Sequence, residues 1–171
     1  SFSYGNINAI TSEAMVNLPV GETSAIRVAG RIRSRDGYID NLLGGADFNS
    51  ADTRAIRGAL HTQTGGLKVD IIGNYQEDTP AGTPFKSIAY TPTNPTTGAV
   101  IGNRGRNSGA ALTSSPGFLD DQPLGLDRKV WGVTGLATWE LNDRVSLTSN
   151  TAYRKFDSLE ILDIDGLSLP I

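Results

Sequence analysis

Arginine stands at 27, 31, 33 and 35 in the stretch AIRVAGRIRSRDGYIDN (residues 25–41), with Ile26, Val28, Gly30 and Ile32 between. A ladder of guanidiniums offers two kinds of chemistry. It either lines a path for anionic ligands or forms a hydrated wall whose charges pair with carboxylates such as Glu13 and Asp70. The hydrated wall is the plainer expectation, since channel-lining charges are commonly structural or solvating, and Arg57, His61, Lys68 and Asp70 would add further charge to it. His61 is the sole histidine and there is no cysteine, so neither a zinc-ligand spacing nor a thiol nucleophile is available. No Ser/His/Asp set can be assembled around a histidine that lies within a strand on the same side as Arg57. The chain is therefore expected not to be an enzyme, and no cofactor is implied.

Three short motifs resemble binding loops and fall short of them. DIDG (residues 163–166) opens like a calcium loop without the remaining ligands. GGADFNSAD offers Asp47, Asn49 and Asp52 for a hard cation, a composition equally ordinary for a loop. GNRGRNSG follows no strand and opens no helix, so it makes a poor phosphate cradle. Its Arg104 and Arg106 are candidates for meeting a ligand from a long loop, with a solvated loop as the plainer expectation.

The elements that must position these groups are strands. From Ser24 to Asp36, the apolar residues fall at every second position and the arginines with Ala29 between them, which a helix would scatter around its circumference. Ile56, Gly58 and Leu60 oppose Arg57, Ala59, His61 and Gln63. Leu67, Val69, Ile71, Gly73 and Tyr75 oppose Lys68, Asp70, Asn74 and Gln76, with Ile72 out of phase. The same alternation runs through residues 8–19, 129–141 and 144–154. With the short opening SFSYG, about seven strands are expected and no long helix. The turns at residues 20–23, 64–66 and 142–143 are short. Long segments near 37–52, 79–126 and 156–171 separate them.

This alternation of short and long connections is the habit of transmembrane β-barrels, which place short turns on one side and long loops on the other. A structureless connection as long as 79–126 would be unusual inside a compact soluble domain. The apolar faces hold many Gly, Ala, Ser and Thr, a thin supply for a dense core. Trp131 and Trp139 lie on one face of a strand. Eight residues at about 3.3 Å each cover about 26 Å, or roughly 20 Å at a tilt near 40°, close to the spacing of two aromatic girdles. Tyr75 and Tyr153 suit the outer girdle. Seven strands that do not close would leave unpaired backbone groups in lipid at several kcal/mol each. The expected fold is thus all-β: an antiparallel up-and-down meander, an open arc of a larger transmembrane β-barrel. A soluble secreted β-sandwich binding module, for carbohydrate for example, and a passive porin segment are the alternatives.

Composition agrees with this without deciding it. The net charge of −3 and pI near 5.1 disfavour a nucleic-acid binder. Mean hydropathy is slightly negative, as it would be if only alternate residues met lipid. The opening residues lack the basic start and apolar stretch of a signal peptide, and both ends look cut from something longer.

The order and spacing of several stretches carry a resemblance. YGN with a return strand ending in VNLPV, an upward strand ending in RSRDGYIDN, and LTSNTAYRKFDS with LDIDG resemble the first barrel strands of TonB-dependent outer-membrane receptors. The group abundant in sphingomonads and their relatives is nearest. The resemblance covers nearly the whole chain and is weakest in the long loop. It implies a Gram-negative outer membrane, a 22-stranded barrel around an amino-terminal plug, and energy relayed through a TonB-contacting box. It also implies uptake of a scarce small-molecule ligand such as an iron–siderophore, cobalamin or glycan. Plug, box and most barrel strands are not in this sequence, whose residues would begin just after the plug.

Overall fold

The computed structural model describes residues 1–41, 46–82, 94, 96–99 and 123–162. Among them are seven strands: β1 (Phe2–Gly5), β2 (Ala9–Pro19), β3 (Ser24–Arg35), β4 (Ala51–Thr64), β5 (Leu67–Asp78), β6 (Gly125–Asn142) and β7 (Val145–Ile161). They form one open antiparallel sheet in chain order, β1 to β7. The expected all-β meander is present, and no described residue is helical.

The short turns explain the register. Gly65 takes φ +54° at the head of the β4–β5 turn, a backbone that glycine adopts without steric cost. At Gly66 a Cβ would stand 2.7 Å from the Glu140 carbonyl oxygen, and that carbonyl's own residue donates its N–H to Gly66 O at 2.9 Å. In the β6–β7 turn the Asn142 side chain accepts from the Arg144 N–H at 3.0 Å, the local bond that makes Asn a turn former. The turn between β1 and β2 is also short. It bends through Ile7 (φ 61°) and Asn8 (φ 50°), at the sheet end that otherwise carries the long connections.

Three boundaries differ from the sequence-based expectation. β4 begins at Ala51 rather than after residue 52, and β6 at Gly125 rather than after 126. β7 runs to Ile161, past the expected loop start at 156. The reason is pairing: β6 extends back to Gly125, and a hairpin with a tight turn needs a second arm of similar length to satisfy the first arm's backbone groups.

The chain divides into two compact units, one made of Ser1–Arg35, Ala51–Thr79 and Asp127–Leu159, the other of Asp36–Ser50, Pro80–Leu126 and Glu160–Ile171. In the second, Ile39 and Phe48 form a β-bridge and Phe48 is buried. Asn49 N–H donates to Gly82 O at 2.9 Å and Ala81 N–H to Ser50 Oγ at 2.7 Å. Gly125 adopts φ +129°, and a Cβ there would run into the Pro80 carbonyl.

The sheet has no dense core. Phe48 and Val130 are the only buried large apolar residues among those described. A sheet normally hides its apolar face under a second layer. Here Ile26, Val28 and Ile32 remain 37, 39 and 52% exposed, and no second sheet among the described residues covers them.

Candidate functional site: two faces of one sheet

Period two leaves a strand residue only two faces, and the cross-strand register fixes which residues share one. Arg27 faces Asn17 and Ala59; Arg31 faces Glu13 and Ala55; Arg33 faces Thr11 and Thr53; Arg35 faces Ala51. Arg57 pairs with Asn74, His61 with Asp70, and Lys68 with Gln63 and Thr138. All eight polar candidates therefore lie on one face. Ile72, out of phase in the sequence, lies there too, between Ala59 and Thr134.

The charges on this face are partly paired. Arg31 Nε lies 3.2 Å from Glu13 Oε1. Arg27 Nε donates to Asn17 Oδ1 at 2.6 Å, an amide rather than a carboxylate. Asp70, expected as an arginine partner, instead meets His61 Nδ1 at 2.7 Å. The Arg31–Glu13 ion pair and the His61–Asp70 contact are both about half exposed, so each contributes no more than about 1 kcal/mol.

The best-organised group on the face was not singled out from sequence. Asp78, the last residue of β5, is buried at 5% exposure. Thr53 Oγ1 donates to it at 2.8 Å, and Gln76 Nε2 at 2.8 and 3.1 Å. Arg128 donates through Nε at 3.1 Å and Nη2 at 2.8 Å. Burial pushes this carboxyl up, but the bonds from Gln76, Arg128 and Thr53 outweigh it and hold the group below the ordinary aspartate value. The cluster ties β4, β5 and β6 together where the 79–124 connection leaves and returns. Its one sequence signal is Gln76 and Asp78 at i and i+2, which puts an amide beside a carboxylate on the same face.

The opposite face is apolar along its middle. Tyr75 pairs with Trp131, and Leu67 with Trp139, eight residues away along both strands. Between these rows stand Gly73, Ile71 and Val69 on β5, with Val133, Gly135 and Ala137 on β6. The Tyr153 ring lies 5.4 Å from the Trp131 ring, so three of the four aromatic candidates meet in one cluster. Trp139 stands apart at the other end. One row past Tyr75 and Trp131 the face becomes charged: Arg54 pairs with Glu77, and Glu77 with Lys129, in register. Lys129 Nζ is 3.6 Å from Glu77 Oε1 and 3.7 Å from Asp127 Oδ1; Arg54 Nε is 3.6 Å from Asp52 Oδ1.

Of the loop candidates, Arg104, Arg106 and the DIDG segment lie outside the described residues. Asp47 Oδ1 accepts from Asn41 N–H at 3.3 Å and Asn49 Nδ2 donates to Tyr38 Oη at 3.2 Å, while Asp52 is engaged with Arg54. Among the described residues no three His, Asp or Glu side chains gather to hold a metal. No family model, curated protein or solved structure matches the chain.

Proposed function

We propose that this chain is a wall segment of an outer-membrane TonB-dependent receptor, with its apolar face toward lipid and its arginine face toward a water-filled lumen. One observation supports this most: a sheet face of exposed apolar side chains, bounded by the Tyr75–Trp131 row at one end and the Leu67–Trp139 row at the other, with charge beginning one row beyond Trp131. Eight residues at about 3.3 Å make a band about 26 Å long, roughly 20 Å tall at a barrel tilt. A soluble sandwich would have to cover that face, and the described residues provide no covering layer. The free edges of β1 and β7 call for further strands, since lipid offers backbone groups no partner.

On this reading the segment contributes lumen wall and the roots of ligand-facing loops to active uptake of a scarce solute such as an iron chelate, cobalamin or glycan. The choice of a TonB-energised receptor over a passive porin rests on the sequence resemblance alone. The test has two parts. The chain is refolded with lipid vesicles, and quenching of Trp131 and Trp139 by lipids brominated along the acyl chain is measured in W139F and W131F. Both tryptophans are expected to be quenched most by shallow bromines. A product that stays monomeric, water-soluble and unquenched would overturn the membrane reading. A parent reading frame with a plug and TonB box upstream separates receptor from porin.

A further inference from the structure

The polar face holds a hollow of about 760 Å3 lined by Glu13, Met15, Ala29, Arg31, Ala55, Arg57 and neighbours that include Asn74. Its size lies within the range that takes small ligands. The hollow exists because Ala29 and Ala55 stand beside Arg57 and Arg31, where longer side chains would fill the space.

Arg57 is the unusual group in it. Its direct cross-strand neighbours are Ala29 and Asn74, neither an acid. Among the described residues it makes no ion pair, and Asn74 makes no side-chain hydrogen bond. Arg27 and Arg31 lie diagonally across on β3, about 7–8 Å away by sheet geometry. The acids that share this face on β5, Asp70 and Asp78, are each four positions from Asn74, about 13 Å along the strand. That exceeds a Debye length of about 8–10 Å, and each already has a partner in His61 or Arg128. Glu13 is engaged with Arg31. The centre of the hollow is therefore a cationic fork with a free amide beside it, an apolar wall at Met15 and an alanine floor.

We propose that this hollow binds a small carboxylate-bearing solute. The Arg57 guanidinium takes the carboxylate through two parallel N–H donors, the geometry that suits arginine and not lysine. The Asn74 amide donates a third bond, and the solute's hydrocarbon body lies on Met15, Ala29 and Ala55. Succinate is the simplest probe, with succinamide as its uncharged counterpart. The proposal uses the polar face only, so its failure leaves the lipid contact of the opposite face standing.

The experiment follows arginine Nε–H signals of the full chain, refolded in lipid nanodiscs, during titration with succinate. The Arg57 signal is expected to shift saturably with succinate and not with succinamide. R57Q should weaken binding at least tenfold and R57K by a smaller factor. A55L, which keeps the charge and fills the hollow, should weaken it at least fivefold. R33Q removes the same charge from the same face outside the hollow and should stay within twofold of wild type. If R57Q alters the amide spectrum of the fold, A55L and the wild-type titration decide alone. A linear, unsaturating shift shared by all arginines, an equal response to succinamide, or equal weakening by R33Q and R57Q would each overturn the site.

Discussion

Ile71 and Ile72 are adjacent, identical in chemistry, and on opposite faces of β5, which makes them the sharpest test of what each face meets. Ile71 lies four residues from Tyr75 and four from Leu67, at the middle of the apolar band, and is 45% exposed. Ile72 lies on the arginine face between Ala59 and Thr134. If the band sits in lipid, Ile71→Arg places a cation near the bilayer midplane. That costs about 2–4 kcal/mol, or roughly 30- to 700-fold in the folding equilibrium. Ile72→Arg enters a hydrated face already rich in arginine and should cost less than about 1 kcal/mol. Leu67→Arg, at the band's edge, should cost no more than about 1 kcal/mol, since the penalty falls away toward the interface. The assay is denaturant titration of refolding in lipid vesicles, followed by tryptophan fluorescence. In water the order would differ, because a half-exposed Ile71 loses little on becoming arginine. Equal costs at 71 and 72, or a larger cost at 67 than at 71, would refute the assignment of faces.

Three other outcomes follow from the geometry. Arg128→Met strips the bidentate partner from the buried Asp78 carboxylate and should destabilise by on the order of 1–3 kcal/mol in the same titration. Because the folded-state Asp78 value is depressed, its stabilisation is present above the ordinary aspartate value. It is lost as pH falls through the lower folded one, so the gap between wild type and Asp78→Asn should narrow below about pH 4. Gly66→Ala forces a Cβ toward the Glu140 carbonyl and should destabilise. Gly58→Ala, with no atom within 4 Å, should be neutral or stabilising by up to about 1 kcal/mol; thermal or denaturant midpoints of the pair check this.

The faces were legible in the sequence because a strand has only two. Once Ile26, Val28 and Ile32 alternate with Arg27, Arg31 and Arg33, nothing but a phase remains to be chosen, and tight turns carry that phase from strand to strand. Partners were not legible, because they depend on register between residues far apart in the chain. Asp78 and Arg128 are separated by fifty positions and most of a long connection. Asp70 was expected to meet an arginine, yet the two-residue turn at Gly65 and Gly66 brings His61 opposite it instead. Strand ends were blurred for a related reason. The stretch following Tyr153 loses its alternation, and only the length of β6 shows that β7 continues to Ile161.

The two ends of the band are unequal, and that asymmetry gives the proposed wall a direction. Past the Trp139 row the chain reaches only Leu141 before turning at Asp143 and Arg144. Past the Trp131 row, β6 continues for another turnless stretch to Gly125, and β7 accompanies it to Ile161. There the nominal lipid face carries Lys129, Glu77 and Arg54 in register, paired in ways that suit water and not hydrocarbon. A sheet spanning a bilayer symmetrically has no reason to overshoot at one end. A barrel whose short turns hug one interface while its strands project beyond the other does. On the proposed reading the buried Asp78 cluster would sit on the lumen side of this overshoot, where no lipid is left to press the strands together. Its five hydrogen bonds from Thr53, Gln76 and Arg128 then hold three strands in register at the height where hydrophobic support ends.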